Sequence, residues 1–198
     1  KPMTFTLNEL NKHFTQHTYQ LVLECGGNGR AGFSPATQGL QWTYGGVGCP
    51  LWTGFRLKDI LAACGLEKEA YYIGYYCHDI HPSGDLKKNV ISRGFPIEKA
   101  LEDTTLIATK MNGKNLPNDH GYPARLLVPG FPGSASGKWL KRLWVRTQQH
   151  DGEKMTGYSY RVPIKPVKPG SSVSHKSIHY FSSAHPNKLI ITFPIYSI

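Results

Sequence analysis

Glu24-Cys25-Gly26-Gly27-Asn28-Gly29-Arg30 is the stretch on which the reading of this chain turns. It follows Tyr19 to Leu23, whose alternating apolar residues predict a strand over 19–24. One thiol therefore stands at a strand end, on a loop with three glycines, and a guanidinium follows five residues later. Glycine has no Cβ and lets a bulky ligand approach the backbone. A thiolate is a soft ligand for a transition metal, and an arginine can hold an oxyanion through two parallel hydrogen bonds. Such a loop can carry a metal on sulfur with an anion beside it. Taken alone, the commoner meaning of such a cysteine is a buried strand end before a glycine turn.

The 198 residues suffice for one sizeable core, or for one domain and the start of another. A hydrophobic content of 39% with 12% aromatics excludes a disordered chain. No apolar run is long enough to span a membrane, and no secretory or transit signal is visible at the start. The first residue is Lys1, which is compatible with removal of an upstream segment. The formal charge of +10 admits nucleic acid, an acidic protein or small anions as partners. Lysines and arginines are spread out, densest at Lys138–Arg146 and Lys165–Lys168. Neither cluster reads as a recognition helix or an aromatic–basic RNA motif, so nucleic acid is not an expected partner. Diffuse positive charge suits a pocket for phosphate or sulfur oxyanions, and it suits a merely soluble basic domain as well. The cysteines at 25, 49, 64 and 77 form no C-x-x-C pair, which argues against a zinc ribbon or a thioredoxin motif.

Along the chain, Thr6 and Glu9 form a capping-box pattern that starts a short helix near Leu7. Residues 31–56, rich in Gly, Pro and aromatics, read as a long ordered loop with short extended pieces. Leu57 to Cys64 reads as a helix stopped by Gly65, with Cys64 on its apolar face. Ala70 to Tyr76 is β-rich, and Pro96 to Leu101 is a short helix candidate. Asn112-Gly113 between two β-prone runs predicts a hairpin. Arg125 to Val128 and Trp139 to Thr147 read as strands. Pro163, Pro166 and Pro169 make a stiff connector. The β-prone runs 178–181 and 189–198 follow it. Short strands and a few short helices, out of βαβ order, indicate an α+β fold.

A second segment is rich in possible ligands: Asn118-Asp119-His120-Gly121-Tyr122-Pro123-Ala124-Arg125, then Val128-Pro129-Gly130 and Ser136-Gly137-Lys138-Trp139. A histidine, an arginine and a lysine around Gly/Pro loops match an anion with several oxygens, a phosphate above all. Singly, His120 is more often a satisfied structural histidine, and Arg125 and Lys138 a pair of solvated charges.

These stretches occur in one order with Gly39-Leu40-Gln41-Trp42, Trp52-Thr53-Gly54 and Met111-Asn112-Gly113. In that order the chain resembles the molybdopterin-binding domain of the sulfite oxidase and sulfite dehydrogenase family, over residues 5 to about 170. The resemblance implies a sulfite-oxidase-type fold of mixed sheets with short helices over 1–170, without the N-terminal segment the family carries. Residues 171–198 would begin an immunoglobulin-like β-sandwich used for dimerisation, so a homodimer is implied where that domain is complete. The implied cofactors are molybdenum and molybdopterin, with Cys25 as the metal's thiolate ligand. Arg30 and Trp42 would line the substrate pocket. Asp79, His120, Arg125, Ser136, Gly137 and Lys138 would hold the pterin and its phosphate. Tyr160 would stand beside the metal, with Tyr158 as the alternative.

The implied reaction is oxidation of sulfite to sulfate, with electrons passed singly to a haem acceptor such as a c-type cytochrome. No C-x-x-C-H haem motif is present, so that acceptor would be a separate protein or another domain. Sulfane dehydrogenase subunits are relatives too, which leaves the substrate more open than the cofactor. The compartment stays open, the periplasm being favoured for a bacterial chain. The contrasting expectation is a basic, non-catalytic fragment that keeps the fold without the cofactor.

Overall fold

The computed structural model of the chain describes residues 2–88, 90–155, 161–168, 171–174 and 178–180. Helix α1 (Leu7–His13) starts at Thr6, whose hydroxyl accepts the Glu9 N–H while the Glu9 carboxylate accepts from the Thr6 backbone. That is the expected capping box, and it satisfies otherwise orphaned backbone donors. Strands β1 (Gln16–Gln20) and β2 (Leu23–Glu24) follow. The strand expected over 19–24 is thus two pieces. The chain changes partners at Leu21, whose N–H reaches the Pro50 carbonyl, so β1 and β2 lie in different sheets.

Strands β3 (Val47–Gly48) and β4 (Leu51–Arg56) come next. The expected loop over 31–56 therefore ends in a full central strand. Helix α2 (Leu57–Cys64) lies where it was expected, with Gly65 in the left-handed region at φ 75° as its stop. Its Cys64 packs, partly buried, against the core. Strands β5 (Tyr72–Cys77) and β6 (Gly94–Pro96) lead into the four-residue helix α3 (Ile97–Ala100). Pro96 caps that helix rather than lying in its first turn. The expected hairpin joins β7 (Leu106–Met111) to β8 (Lys114–Asn115). Its turn residues Asn112 and Gly113 both have positive φ, 51° and 77°, as a two-residue hairpin turn requires. Strands β9 (Arg125–Leu127), β10 (Leu140–Arg146), β11 (Arg161–Pro163) and β12 (Ile178–Tyr180) complete the set.

The largest sheet runs β1-β4-β7-β8, with β9 also on β7. A second sheet runs β10-β5-β6, and two pairs, β2-β3 and β11-β12, stand apart from both. Every ladder among the described residues is antiparallel. The β11-β12 ladder joins residues on either side of the division expected at 170.

Both faces of the largest sheet are covered. On one face, Phe55, Ile107 and Leu126 join α1, α2, α3 and the second sheet in the main core. On the other, Trp52, Leu106, Ala108, Leu116 and Leu127 form a smaller cluster, against which Tyr19, Leu21, Leu23 and Met111 pack. That smaller cluster is the floor on which the candidate site rests.

Candidate active site

The cysteine loop is built by backbone bonds around Asn28. The Asn28 side chain donates to the Glu24 carboxylate at 2.8 Å and accepts the Gly46 N–H at 2.9 Å. The Cys25 N–H reaches the Gly46 carbonyl at 2.8 Å. Asn28 thereby ties the loop to the segment after residue 44 and leaves the Cys25 thiol exposed at its apex. Among the described residues its Sγ accepts only the Gly27 N–H, at 3.4 Å. The buried strand-end cysteine considered from sequence is therefore not what the loop forms.

Arg30 follows from Gly29, which has φ 78°. The guanidinium donates to the Leu40 carbonyl at 3.0 Å. It lies between two glycines: a Cβ on Gly27 would stand 2.5 Å from Nη2, and one on Gly39 would overlap Nη1. These glycines make room for a guanidinium.

The second segment meets the first at Gly133. A Cβ there would come within 2.9 Å of the Glu24 carbonyl oxygen, so the absence of a side chain lets the 132–136 loop close on the Cys25 backbone. Between them lies a cavity of about 560 Å³. Cys25, Trp42, His120 and Arg125 all line it, with Glu24, Trp52, Met111 and Ser134 among their neighbours.

Arg125 is its electrostatic centre. It is 4% exposed. Its Nη1 and Nη2 donate to the carbonyls of His120 and Ser136, each at 3.1 Å, and its guanidinium stacks 5.1 Å from the Trp52 ring centroid. No ion pair among the described residues includes it, and its Nε–H has no protein partner. Burial pushes its pKa down to about 10. A buried cation without a counter-charge is costly, and an anionic ligand relieves that cost. The Ser134 hydroxyl is likewise buried without a partner.

The remaining expected residues lie outside the cavity lining. Ser136 accepts the Val128 N–H at 3.0 Å on its hydroxyl and holds Arg125 with its carbonyl. A Cβ on Gly137 would come 2.6 Å from the Tyr75 ring and 2.9 Å from the Cys77 sulfur, so Gly137 packs tightly on β5. Burial pushes that Cys77 thiol up to about 12, which keeps it protonated at neutral pH. Lys138 donates to the Asp119 carbonyl at 2.9 Å and sits over the Trp139 ring at 4.4 Å. Asp79 is half-buried just beyond β5, and the Arg30 guanidinium packs against Gly27 and Gly39. Tyr158 and Tyr160 lie outside the described residues.

Comparison with known proteins fits this geometry. The family model described as an oxidoreductase molybdopterin binding domain matches residues 1–154. The chain belongs to this family. Mitochondrial sulfite oxidase of Mus musculus is 34% identical over 154 residues, covering 74% of this chain and 27% of that protein. Sulfite oxidase of Gallus gallus is 33% identical over 163 residues, 76% of this chain and 35% of that protein. An NADH nitrate reductase of Solanum lycopersicum is 32% identical over 158 residues, 76% of this chain and 17% of that protein. The crystal structure of the sulfane dehydrogenase SoxCD from Paracoccus pantotrophus superposes with a TM-score of 0.62 at 32% identity, covering 75% of this chain and 36% of that one. The chain thus spans about a quarter to a third of the sulfite oxidases it matches, 27% and 35%.

The family's cofactor is a molybdopterin. The donor set suits one. Among the described residues no group of three or more His, Cys, Asp or Glu could hold a metal. A metal at Cys25 would therefore take its other ligands from the cofactor, and the orphaned Arg125 Nε–H fits an anionic group on it. Ser134 lines the cavity without having been singled out from sequence, and Glu24, Trp52 and Met111 line it although the motifs that contain them gave them no site role.

Proposed function

We propose that the chain is the molybdenum domain of an enzyme that oxidises sulfite to sulfate and passes the electrons to a haem protein such as a c-type cytochrome. The observation that carries this reading is the meeting, in one cavity, of an exposed thiol at Cys25 and the uncompensated guanidinium of Arg125.

When bound, the molybdenum cofactor supplies a two-electron redox centre able to exchange oxygen with a small oxyanion. The chain's part is to bind and orient. Cys25 gives the metal its one protein thiolate, free of competing side-chain partners. Arg125 and His120, which both line the cavity, would hold the cofactor's phosphate and pterin. Ser136 keeps the guanidinium in place through its carbonyl, and Gly137 lets that strand-like segment pack on β5. Lys138 and Asp79, outside the cavity lining, would contribute to holding the cofactor. Trp42, 39% exposed on the cavity wall, screens the reacting oxyanion from bulk water. Arg30 adds positive charge at the cysteine loop and draws the anion in. Tyr160, or Tyr158 in its place, would hold or move a proton near the bound cofactor. Residues 171–198 open a dimerisation domain, and the active unit is a homodimer where that domain is complete.

A second reading, reduction of nitrate, has its own support in nitrate reductases as similar to the chain as the sulfite oxidases. The test is steady-state turnover of the full chain made in a pterin-competent host. Sulfite-dependent reduction of ferricyanide or cytochrome c is expected. Turnover only with nitrate and a reduced viologen would move the assignment to the second reading. A chain that retains neither metal nor pterin would be the non-catalytic fragment.

A further inference from the structure

Trp139 stands just ahead of β10 in a conformation that bulky residues avoid. Its φ of 51° lies in the left-handed region, where such a side chain is an outlier. Strain of this kind persists only where the surroundings hold it. Here the surroundings are two other stretches of the candidate site. The Trp139 carbonyl accepts the His78 N–H at 2.9 Å, one residue before Asp79. Its indole Nε1–H donates to the Asn118 carbonyl at 2.7 Å, two residues before His120. The residues on either side of it add to the join. Lys138 Nζ reaches the Asp119 carbonyl, and the Leu140 N–H reaches the Ala124 carbonyl, each at 2.9 Å. Gly121, with φ 107°, lets the two backbones meet, since a Cβ there would stand 3.0 Å from the Lys138 Cα.

The 3-10 turn Asn118–His120 carries His120 to the cavity wall. A single turn has little stability of its own. Its three carbonyls, at Asn118, Asp119 and His120, each accept a side-chain donor, from Trp139, Lys138 and Arg125 in that order. The indole is the neutral donor of the three. Its loss would loosen the turn without changing the charge around the cavity. We propose that Trp139 is a positioning residue acting through His120: its indole N–H fixes the 118–120 turn and so presets the imidazole on the cavity wall. A group ordered in advance costs a ligand less to engage than one ordered on binding. This rests on the reading of the cavity as a molybdopterin site.

Trp139→Phe removes the donor and keeps a ring beneath the Lys138 ammonium. Benzothienylalanine at the same position puts sulfur in place of the N–H and keeps the full volume of the indole. In the wild type the His120, Gly121 and Tyr122 amides bond back to Pro117 and Asn118. One ordinary hydrogen bond corresponds to about fivefold in an equilibrium, so these amides should exchange about fivefold faster in the ligand-free variant. Amides of β5, β9 and β10 should keep their wild-type rates. In the loaded protein, molybdenum and pterin should leave about fivefold faster. Added to His120→Ala, which removes the imidazole itself, Trp139→Phe should change nothing further.

The experiment measures hydrogen exchange of the ligand-free chain by mass spectrometry. It also follows metal and pterin per chain with time after dilution of loaded protein, for wild type, Trp139→Phe, His120→Ala and the double variant. Faster exchange confined to the turn, faster cofactor loss, and no additional loss in the double variant support the role. Unchanged exchange in the turn overturns it. Where Trp139→Phe also loosens the strands, the benzothienylalanine protein decides, and strands loosened there as well make Trp139 a fold residue and overturn the role. Losses that add in the double variant overturn it too, because the indole then acts elsewhere than through His120. Cofactor loss at the wild-type rate overturns it while leaving the molybdopterin reading standing. A wild-type chain that binds no pterin sinks that reading. Exchange then decides alone: faster rates confined to the turn uphold the indole's hold on His120, and unchanged rates overturn it.

Discussion

Of the three arginines buried among the described residues, Arg125 and Arg146 are treated in opposite ways. Arg146 on β10 is 9% exposed and pairs with the Asp151 carboxylate and with His150 Nδ1, the latter at 3.2 Å. The same His150 takes Ser92 on its other nitrogen at 2.8 Å and stacks edge-on against Tyr76 and Trp144. Glycines at 74 and 152 leave it room, since a Cβ at either would overlap its ring. Charge and hydrogen bonds close on themselves there. Arg125 is more deeply buried, holds only carbonyls and leaves one N–H unused. A satisfied polar network specifies a fold, whereas an unsatisfied one stores free energy that a ligand can release.

The sharpest test of that contrast is at Cys25. Cys25→Ser replaces a soft thiolate with a hard, protonated hydroxyl, and turnover should fall by more than about a hundredfold, beyond the 10–100-fold that loss of an outer-shell metal partner costs. Melting of the chain should stay within 1 °C or so of wild type, given surface effects of about 0.5 kcal/mol or less. Retained turnover would detach the metal from this loop.

Next comes a reciprocal pair. Arg125→Met should lower molybdenum per chain, yet leave ligand-free stability unchanged or improved, because a buried unpaired charge is removed. Arg146→Met should do the reverse, costing about 1–3 kcal/mol in urea unfolding, since it strips partners from His150 and Asp151. If both variants changed stability in the same direction, the distinction between the two arginines would fail.

A smaller effect is set by pH. Burial and the neighbouring Arg146 hold the His150 pKa below its ordinary 6.5, against the opposing pull of Asp151. The folded chain keeps this imidazole neutral, while the unfolded chain protonates it near its ordinary value. Its contribution is therefore complete above pH 6.5 and declines as pH falls from there toward the folded pKa. Urea unfolding between pH 7.5 and 5 should show stability falling with acid, and His150→Gln should flatten that slope. An unchanged slope in the variant would place the proton uptake elsewhere.

The smallest effect belongs to Arg30→Lys, which keeps the charge but loses the planar fork. KM for the oxyanion should rise by no more than about fivefold, the range of a solvent-accessible ion contact, with kcat little changed. An unchanged KM in both Arg30→Lys and Arg30→Gln would move the substrate anion's contact away from Arg30.

The local signals that could be read from sequence were the self-contained ones. The Thr6/Glu9 box, the Gly65 stop and the Asn112-Gly113 turn each need only a few adjacent residues, and each appears as expected. Strand β4 escaped because its composition resembles a loop. Gly54 lies mid-strand since β7 crosses so close that a Cβ would come 2.6 Å from the Ala108 Cα, and a register shift interrupts the pairing beside it. In the site, Cys25, Trp42, His120 and Arg125 could be named from motif order. Ser134 could not, because having no partner is a property of the folded neighbourhood and leaves no pattern in the chain. Trp52 stood in one of the quoted motifs, but that its ring carries the Arg125 guanidinium is visible only in the fold.

The unequal exposure of the four cysteines has a practical meaning for labelling chemistry. Cys25 and Cys49 are both exposed, but only Cys25 lines the cavity. Cys64 and Cys77 are partly shielded, and burial raises both of their pKa values. An alkylating reagent at neutral pH should thus modify positions 25 and 49 first and largely spare the other two. In a mixture of loaded and empty molecules, occupancy of the thiol at 25 appears as lost labelling there, while position 49 reports the total chain present. The protein carries its own reference thiol, and peptide mass mapping of one sample can yield the loaded fraction without a metal standard.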